Sequence, residues 1–192
     1  METLTVQAYL NETWTDIALI KYPGSEKKDW NTTQLDYLTE YAINFLDYDD
    51  FHAVSVNHPV SLFFDDHGQP GWLRFIDDII PAGASRRYWI NALDISELPV
   101  GQQNFLLLKF GTMSPVGNLR IKESVPEWNK FASTKTFTVA DVIDRAADFL
   151  DYAQERGAAA GGATGAGGEA PKLLLRCSET DAIWIDTWQN EP

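Results

Sequence analysis

The sequence predicts an α+β fold, because strand-type and helix-type patterns occupy separate stretches of the chain. Residues 4–10 and 14–20 alternate apolar and polar side chains on either side of the polar Asn11-Glu12-Thr13, which predicts an opening β-hairpin. Further along, Thr138 and Asp141 have the spacing of a capping box, and apolar residues follow at helical intervals. With 192 residues, 44% of them apolar, the chain is long enough for one good core or two small ones.

Shorter patterns follow the hairpin. Residues 21–31 are predicted to form a loop with a turn at Pro23-Gly24, and residues 52–57 alternate like a strand that stops before Pro59. The segment 35–45 has helical spacing, although its aromatic content is compatible with a strand as the alternative. Three short helices are then predicted, one closed by Pro81, one starting after Ser85 and one that follows Pro99 and ends at Gly111. Residues 113–122 are predicted to form a turn and a strand.

The helix that begins at Thr138 is predicted to run to Arg156, with Gly157 as its stop. A low-complexity glycine and alanine tract occupies residues 157–168, and two alternating stretches, 172–176 and 182–188, predict a hairpin with no third strand. The aliphatic pattern lapses around Pro126. We therefore expect two units, an α+β subdomain over residues 1–125 and a second, incomplete unit over residues 126–192.

Composition limits the function classes. The net charge of -13 repels phosphate backbones, so direct binding to nucleic acid is not expected, whereas a basic partner is compatible. No apolar run reaches the ~20 residues of a membrane span, and the N-terminus lacks the pattern of a signal peptide. Cys177 is the only cysteine and cannot form an internal disulfide, which suits a cytoplasmic protein; we expect it to be an inert buried thiol.

Isolated polar residues give weaker signals. The histidines His52, His58 and His67 lack metal-ligand spacing, and the carboxylate pairs are expected to be surface or helix-end charges. Ser85-Arg86-Arg87 is the one basic cluster, and a helix N-cap with flanking arginines explains it better than a phosphate site does. The serines lack the context of a hydrolase nucleophile. The residues concerned are Asp49, Asp50, Asp65, Asp66, Asp77, Asp78, Ser55, Ser61 and Ser114.

The glycine tract allows two interpretations. Residues 165–170 formally match a dinucleotide-binding fingerprint, but that motif needs a strand before it and a helix after it, and the order here is reversed. A Walker loop is excluded because no Gly-Lys-Ser/Thr follows the glycines. Glycine amides can turn toward one anion, and Lys172 adds a positive charge, as in kinase glycine loops. A plain linker between two units fits the same composition.

Four segments of the chain carry a family resemblance in a consistent order. Gly167-Gly-Glu-Ala-Pro-Lys172 resembles the Gly-Gly-x-x-Pro-Lys loop of HipA-like serine/threonine kinases, and residues 75–87 resemble the Phe-x-Asp-x-Leu-Pro segment of that family. Residues 116–121 are similar to its Val-Gly-Ala-Leu strand, and residues 52–62 to its Leu-Ser-x-Pro-Leu element. The resemblance covers most of the chain, and it implies an N-terminal subdomain followed by the start of a kinase-like N-lobe.

The family resemblance implies ATP and Mg²⁺ as cofactors and transfer of the γ-phosphoryl group to a serine or threonine of an aminoacyl-tRNA synthetase. It also implies a toxin–antitoxin system in which a helix-turn-helix antitoxin restrains the kinase. The residues it assigns to the phosphate-covering loop are Gly165, Gly167, Gly168, Glu169 and Lys172. Thr164 replaces the serine that many members autophosphorylate, which puts that control in doubt.

The resemblance places the nucleotide-anchoring lysine and the catalytic and metal-binding aspartates beyond Pro192. We therefore expect the 192-residue chain to be catalytically inactive alone. An alternative is a non-catalytic binding module, since some related systems encode the N-terminal subdomain separately to hold a kinase inactive. The glycine tract argues for the first hypothesis, because a finished module should end near Val125.

Overall fold

The computed structural model describes residues 2–22, 34–62, 72–112, 117–125, 135–152 and 175–185. Within these ranges the chain has both helices and antiparallel sheets, which confirms the α+β class. Strands β1 (Glu2–Leu10), β2 (Thr13–Tyr22), β3 (Gln34–Tyr37) and β4 (Leu119–Ile121) form one sheet in the order β3-β2-β1-β4. The predicted hairpin is therefore confirmed, and the chain adds a further strand on each side of it.

A β-bulge in the hairpin sets which side chains face the core. Val6 pairs with Ala18 and Gln7 pairs with Asp16, so Ile17 is an extra residue on β2. An extra residue reverses the alternation of a strand. Asp16 consequently lies beside Gln7 on the outer face, while Ala18 lies beside Val6 on the buried inner face.

Helices cover the inner face of this sheet. They are α1 (Thr39–Asn44), α2 (Ile76–Ile79), α3 (Gly83–Ala92) and α4 (Val100–Gly111), and a 3-10 turn, Lys122–Ser124, follows β4. The four-residue α2 is shorter than the expected helix, and α4 has the predicted ends. Leu107 and Leu108 of α4 are fully buried in the same cluster as the inner residues of β1, and Phe105 packs edge-on against Tyr22.

The structure resolves one open alternative and corrects two local predictions. The segment 35–45 contains both alternatives, a strand and then a helix. Residues 52–57 form turns, because the Asp50 carboxylate accepts a hydrogen bond from the His52 amide and the His58 amide bonds back to Ser55. Ser85 is not an N-cap: α3 begins at Gly83 with Ala82 in the cap position, and the buried Ser85 hydroxyl has no hydrogen-bond partner in the described structure.

A second, smaller sheet contains β5 (Phe137–Thr138), β6 (Leu175–Cys177) and β7 (Ala182–Ile185) in the order β5-β7-β6. The predicted C-terminal hairpin is confirmed, but the expectation of no third strand is wrong, since β5 pairs with β7. Phe137 and Phe149 form a core cluster separate from that of the first sheet. The unit boundary near residue 125 remains a prediction.

The helix after Thr138 begins as expected but is interrupted. Both hydrogen bonds of the capping box between Thr138 and Asp141 are present. The helix then ends after five residues, and α5 (Val139–Ile143) and α6 (Ala147–Tyr152) are separate. Arg145 has φ 51°, and the amides of Arg145 and Ala146 bond to the carbonyls of Val142 and Asp141. This is a Schellman stop with arginine where glycine is usual, so the sequence carried no glycine signal for it.

The first hairpin turn offers a stability test. Asn11 and Glu12 both have positive φ, 49° and 64°, the pattern of a type I′ turn that favours Asn-Gly. We expect Glu12→Gly to raise the free energy of unfolding by about 0.5–1 kcal/mol relative to Glu12→Ala, measured by urea denaturation. Both variants lose the same charge, so equal stabilities would contradict a left-handed conformation at residue 12.

The contact between α4 and the chain before α3 offers a second test. A Cβ added at Gly111 would lie 2.6 Å from Cγ of Pro81 and 3.2 Å from the Trp89 ring. We expect Gly111→Ala to lower the free energy of unfolding by about 1–3 kcal/mol through overpacking. Pro81→Ala removes the nearest atom, so the cost of Gly111→Ala should fall in that background. A double-mutant cycle with no coupling would refute this contact.

Candidate functional site

The glycine loop indicated by the sequence lies outside the described residues, which resume at Leu175. This applies to Thr164, Gly165, Gly167, Gly168, Glu169 and Lys172. The strand that follows the loop is described: β6 pairs with β7 through Leu175 and Ile185, Arg176 and Trp184, and Cys177 and Ile183. The chain therefore passes from the Gly-Gly-x-x-Pro-Lys sequence into one strand of an antiparallel hairpin.

The turn of that hairpin is well ordered by polar contacts. The Ser178 amide donates to the Ala182 carbonyl and the Asp181 amide to the Ser178 carbonyl, while Asp181 has φ 60°. A turn followed by one left-handed residue is a common hairpin connection. The Ser178 hydroxyl also accepts hydrogen bonds from the Thr180 and Ala182 amides. This geometry fixes the register of β6 against β7.

The described residues bring a different polar cluster together on the outer face of the four-stranded sheet. Arg120 of β4 lies opposite Gln7 of β1, and Gln7 lies opposite Asp16 of β2. The Arg120 Nε donates to Gln7 Oε1 at 2.8 Å, and Gln7 Nε2 donates to Asp16 Oδ1 at 2.7 Å. Lys122 donates to the other oxygen of Asp16. A continuous chain of hydrogen bonds thus connects three strands and the turn after β4.

The Arg120 guanidinium also stacks on an aromatic ring. Its Cζ lies 4.0 Å from the ring of Trp14, which is tilted against Tyr9 at 5.1 Å. Only 6% of Arg120 is exposed, and this burial lowers its pKa to about 10 despite the charge of Asp16. A cation over a tryptophan face is favourable, especially when it is shielded from water. Trp14 therefore offsets part of the cost of burying this charge.

Asp16 is the anionic member of the cluster. Partial burial works to raise its pKa, but the hydrogen bonds from Lys122 and Gln7 and the charges of Lys122 and Arg120 lower the pKa overall. Arg120 Nη1 and Trp14 Nε1 are buried with no hydrogen-bond partner in the described structure. The cluster holds strands together and retains donor capacity, and it contains no nucleophile paired with a base.

The other candidate residues have local structural roles. His52 bonds through Nδ1 to Asp50, and His58 packs edge-on against Phe75. Asp77 accepts a hydrogen bond from Trp72 Nε1 at 2.7 Å. Arg86 lies 3.4 Å from the Gln103 oxygen, and burial lowers its pKa. The two described histidines and the carboxylates of Asp50 and Asp77 therefore make local contacts within the fold. The residues His67, Asp65, Asp66 and Ser114 lie outside the described residues.

Cys177 requires a correction. It was expected to be a buried core thiol, but it is exposed. It lies on β6, which is at the edge of the three-stranded sheet among the described strands, and the neighbouring Leu175 is exposed as well. An alternating pattern locates a strand but does not say whether anything covers it, so the exposure of Cys177 was not predictable from that pattern.

The sequence did not predict the polar cluster, although two of its members stand in patterns typical of a half-buried strand. Gln7 is a polar residue within a regular alternation, and Arg120 sits between Leu119 and Ile121 in a predicted strand. Such positions predict the outer face of a half-buried sheet. What the sequence did not indicate is that β4 pairs with β1, because the two strands are separated by most of the subdomain.

In the described part of the chain, no group of three or more His, Cys, Asp or Glu side chains is placed to hold a metal ion. No helix in the same ranges has the length and apolar character of a membrane span. No protein-family model matches the sequence, and no curated protein matches it.

The polar cluster predicts a pH-dependent contribution to stability. Because the pKa of Asp16 is lower in the folded chain than its ordinary value of 3.8, its contribution is present above that value and disappears as the pH falls through the folded pKa. We expect Asp16→Asn to lower the free energy of unfolding by about 1 kcal/mol at pH 7, after allowance for solvent screening. The difference should shrink below pH 3.8.

Urea titrations between neutral and acidic pH measure both effects. Glu179→Gln is the matched control, because it removes an exposed carboxylate from the β6–β7 turn. It should change stability little at any of these pH values. A difference between Asp16→Asn and the original chain that is constant down to acidic pH would show that the carboxylate charge does not stabilise the sheet.

Proposed function

We propose that this chain forms the N-terminal part of a HipA-like serine/threonine kinase of a toxin–antitoxin system, with its glycine loop covering the phosphates of ATP. The observation that supports this best is the position of the Gly-Gly-x-x-Pro-Lys sequence, residues 167–172, just before the antiparallel hairpin of β6 and β7. Kinase glycine loops cover the phosphates from within the N-lobe sheet. A plain linker needs neither a strand directly after it nor a lysine at that point.

Two of the other segments that resemble the family fall on core elements of the first subdomain, whereas residues 52–62 form turns. The segment 75–87 includes α2, Pro81 and the start of α3, and both Phe75 and Ile76 are buried. The segment 116–121 ends in β4, whose Ile121 is fully buried. Segments that build the core change less freely than surface residues, which is a physical reason for a resemblance concentrated there.

In this proposal the loop binds phosphate by two kinds of contact. The amides of Gly167 and Gly168 would donate hydrogen bonds to phosphate oxygens, and Lys172 would add one positive charge. ATP supplies the γ-phosphoryl group that is transferred to a serine or threonine hydroxyl of the protein substrate, an aminoacyl-tRNA synthetase. The catalytic aspartate and the Mg²⁺ ligands would come from the kinase lobe that follows. Such a toxin would act in the cytoplasm and be restrained by a helix-turn-helix antitoxin.

A second candidate is a non-catalytic binding module that regulates a partner kinase. It is favoured by the completeness of the first core, since the inner face of the four-stranded sheet is covered by helices and Arg120 ties β4 to the hairpin. Such a unit could fold and bind without a kinase lobe. The two candidates differ in whether residues 165–172 bind nucleotide when a kinase lobe is attached.

The kinase proposal is tested in a protein that joins this chain to a kinase lobe. We expect Lys172→Ala to weaken ATP binding about tenfold or more, because one charge-assisted contact of ~1.5–3 kcal/mol is lost. Calorimetric titration with ATP and Mg²⁺ measures the affinity, and transfer of labelled phosphate to protein measures turnover. Lys135→Ala is the control, because it removes an exposed lysine that lies beside Phe137.

The control should leave ATP affinity unchanged, and the 192-residue chain alone should transfer no phosphate. Equal ATP affinities for Lys172→Ala and the unaltered protein would indicate that the glycine tract is only a linker. That result would favour the binding module. Phosphoryl transfer by the chain alone would contradict the assignment of the catalytic residues to a following lobe.

A further inference from the structure

The segment from α1 to residue 62 exposes a concentration of large apolar side chains. Of the thirteen that are exposed in the described residues, six lie between positions 43 and 62. Phe51 is 62% exposed and Val56 is 74% exposed. Single exposed apolar residues are ordinary, but a concentration of aromatic and aliphatic groups marks an interaction surface. We define the apolar–acidic surface as Ile43, Leu46, Tyr48, Phe51 and Val56 together with Glu40, Asp47, Asp49 and Asp50.

The aromatic members of this surface are in contact. The ring of His52 lies 4.1 Å from that of Phe51, 5.1 Å from that of Tyr48 and 4.4 Å from that of Phe45, centroid to centroid. Phe45 in turn packs on Tyr41 at 4.7 Å. The exposed rings of Tyr48 and Phe51 therefore both pack against one imidazole, that of His52.

Buried hydroxyl groups hold the backbone beneath the patch. Tyr37 donates a hydrogen bond to the His58 carbonyl at 2.6 Å and accepts one from the Val54 amide at 2.9 Å. Tyr41 donates to the His52 carbonyl at 2.8 Å; burial and the charge of Asp50 raise its pKa to about 12, so it remains a donor at neutral pH. A surface fixed in this way loses little conformational entropy when a partner binds.

The negative charge of the same segment indicates which chemical class of partner this surface favours. Residues 40–62 contain Glu40, Asp47, Asp49 and Asp50 and no lysine or arginine. Within the described part of the chain, Glu40, Asp47 and Asp49 form no ion pair. These carboxylates favour cationic groups and repel nucleic acid and anionic lipid. A second copy of the chain is disfavoured as well, because each copy carries a net charge of -13.

We infer that the apolar–acidic surface binds a basic amphipathic segment of another protein. Apolar side chains of that segment cover Tyr48, Phe51 and Val56, and its lysines or arginines meet the surrounding carboxylates. Aromatic groups at the centre with charges at the edge are the usual arrangement of such interfaces. The inference does not depend on the proposed kinase, since none of its residues belongs to the glycine loop.

A helical peptide of lysine and leucine, about five turns long and with its leucines on one face, is the probe. Fluorescence anisotropy of the labelled peptide measures its affinity for the full chain. We expect binding, and a loss of about tenfold or more in affinity for the double variant Phe51→Ser/Val56→Ser. That variant keeps the net charge, so the loss separates a specific surface from general attraction between opposite charges.

Two controls complete the experiment. Ile143→Ser removes an apolar side chain that is 73% exposed on α5, and it should leave affinity unchanged. A peptide with glutamate in place of lysine should not bind. Unchanged affinity in the Phe51→Ser/Val56→Ser variant, or equal binding of the two peptides, would overturn the inference. Dimerisation in analytical ultracentrifugation that this variant abolishes would overturn it too, by identifying a second copy as the occupant.

Discussion

The bulge at Ile17 is the constraint on which the arrangement of the first sheet depends. Asp16 and Ala18 are two residues apart and would share a face of a regular strand, yet one is bonded to Gln7 and the other is fully buried. Because of the extra residue, Asp16 lies on the polar outer face of the sheet and Ala18 lies on its apolar inner face. Its carbonyl also accepts a hydrogen bond from the Leu38 amide, where the chain leaves β3 for α1. One backbone irregularity thus sets both faces of the sheet and the entry to the first helix.

Burial of the Arg120 side chain costs free energy, but it also makes the register of β4 in the sheet specific. Burying a guanidinium is unfavourable unless its charge and its donors are matched, and here Gln7, Asp16 and the face of Trp14 supply part of that match. A one-residue slip of β4 would move Arg120 to the apolar inner face, which makes the wrong register expensive. The cluster is therefore better explained as a device that fixes the pairing of β4 with β1 than as a source of net stability.

Strong local patterns were sufficient for part of the fold, as the first hairpin, α4 and the capping box at Thr138 show. Features set by distant contacts were not predictable: β5 pairs with a strand far along the chain, and Tyr37 and Tyr41 hold residues 52–58 in turns despite an alternating sequence. The same limit applies to sites. The glycine loop is predicted from a local motif, whereas the Arg120 cluster is assembled from three strands and has no local motif.

The strand order β5-β7-β6 places a long segment of chain between two paired strands. Pairing of β5 with β7 closes a long loop, because every residue from 139 to 181 lies between the two strands. The entropy of closing a loop grows only with the logarithm of its length, so doubling that length costs about 0.6 kcal/mol. Residues added to or removed from the part of the tract before Thr164 would therefore change the stability of the small sheet little, because the pairing of β5 with β7 does not require one particular loop length.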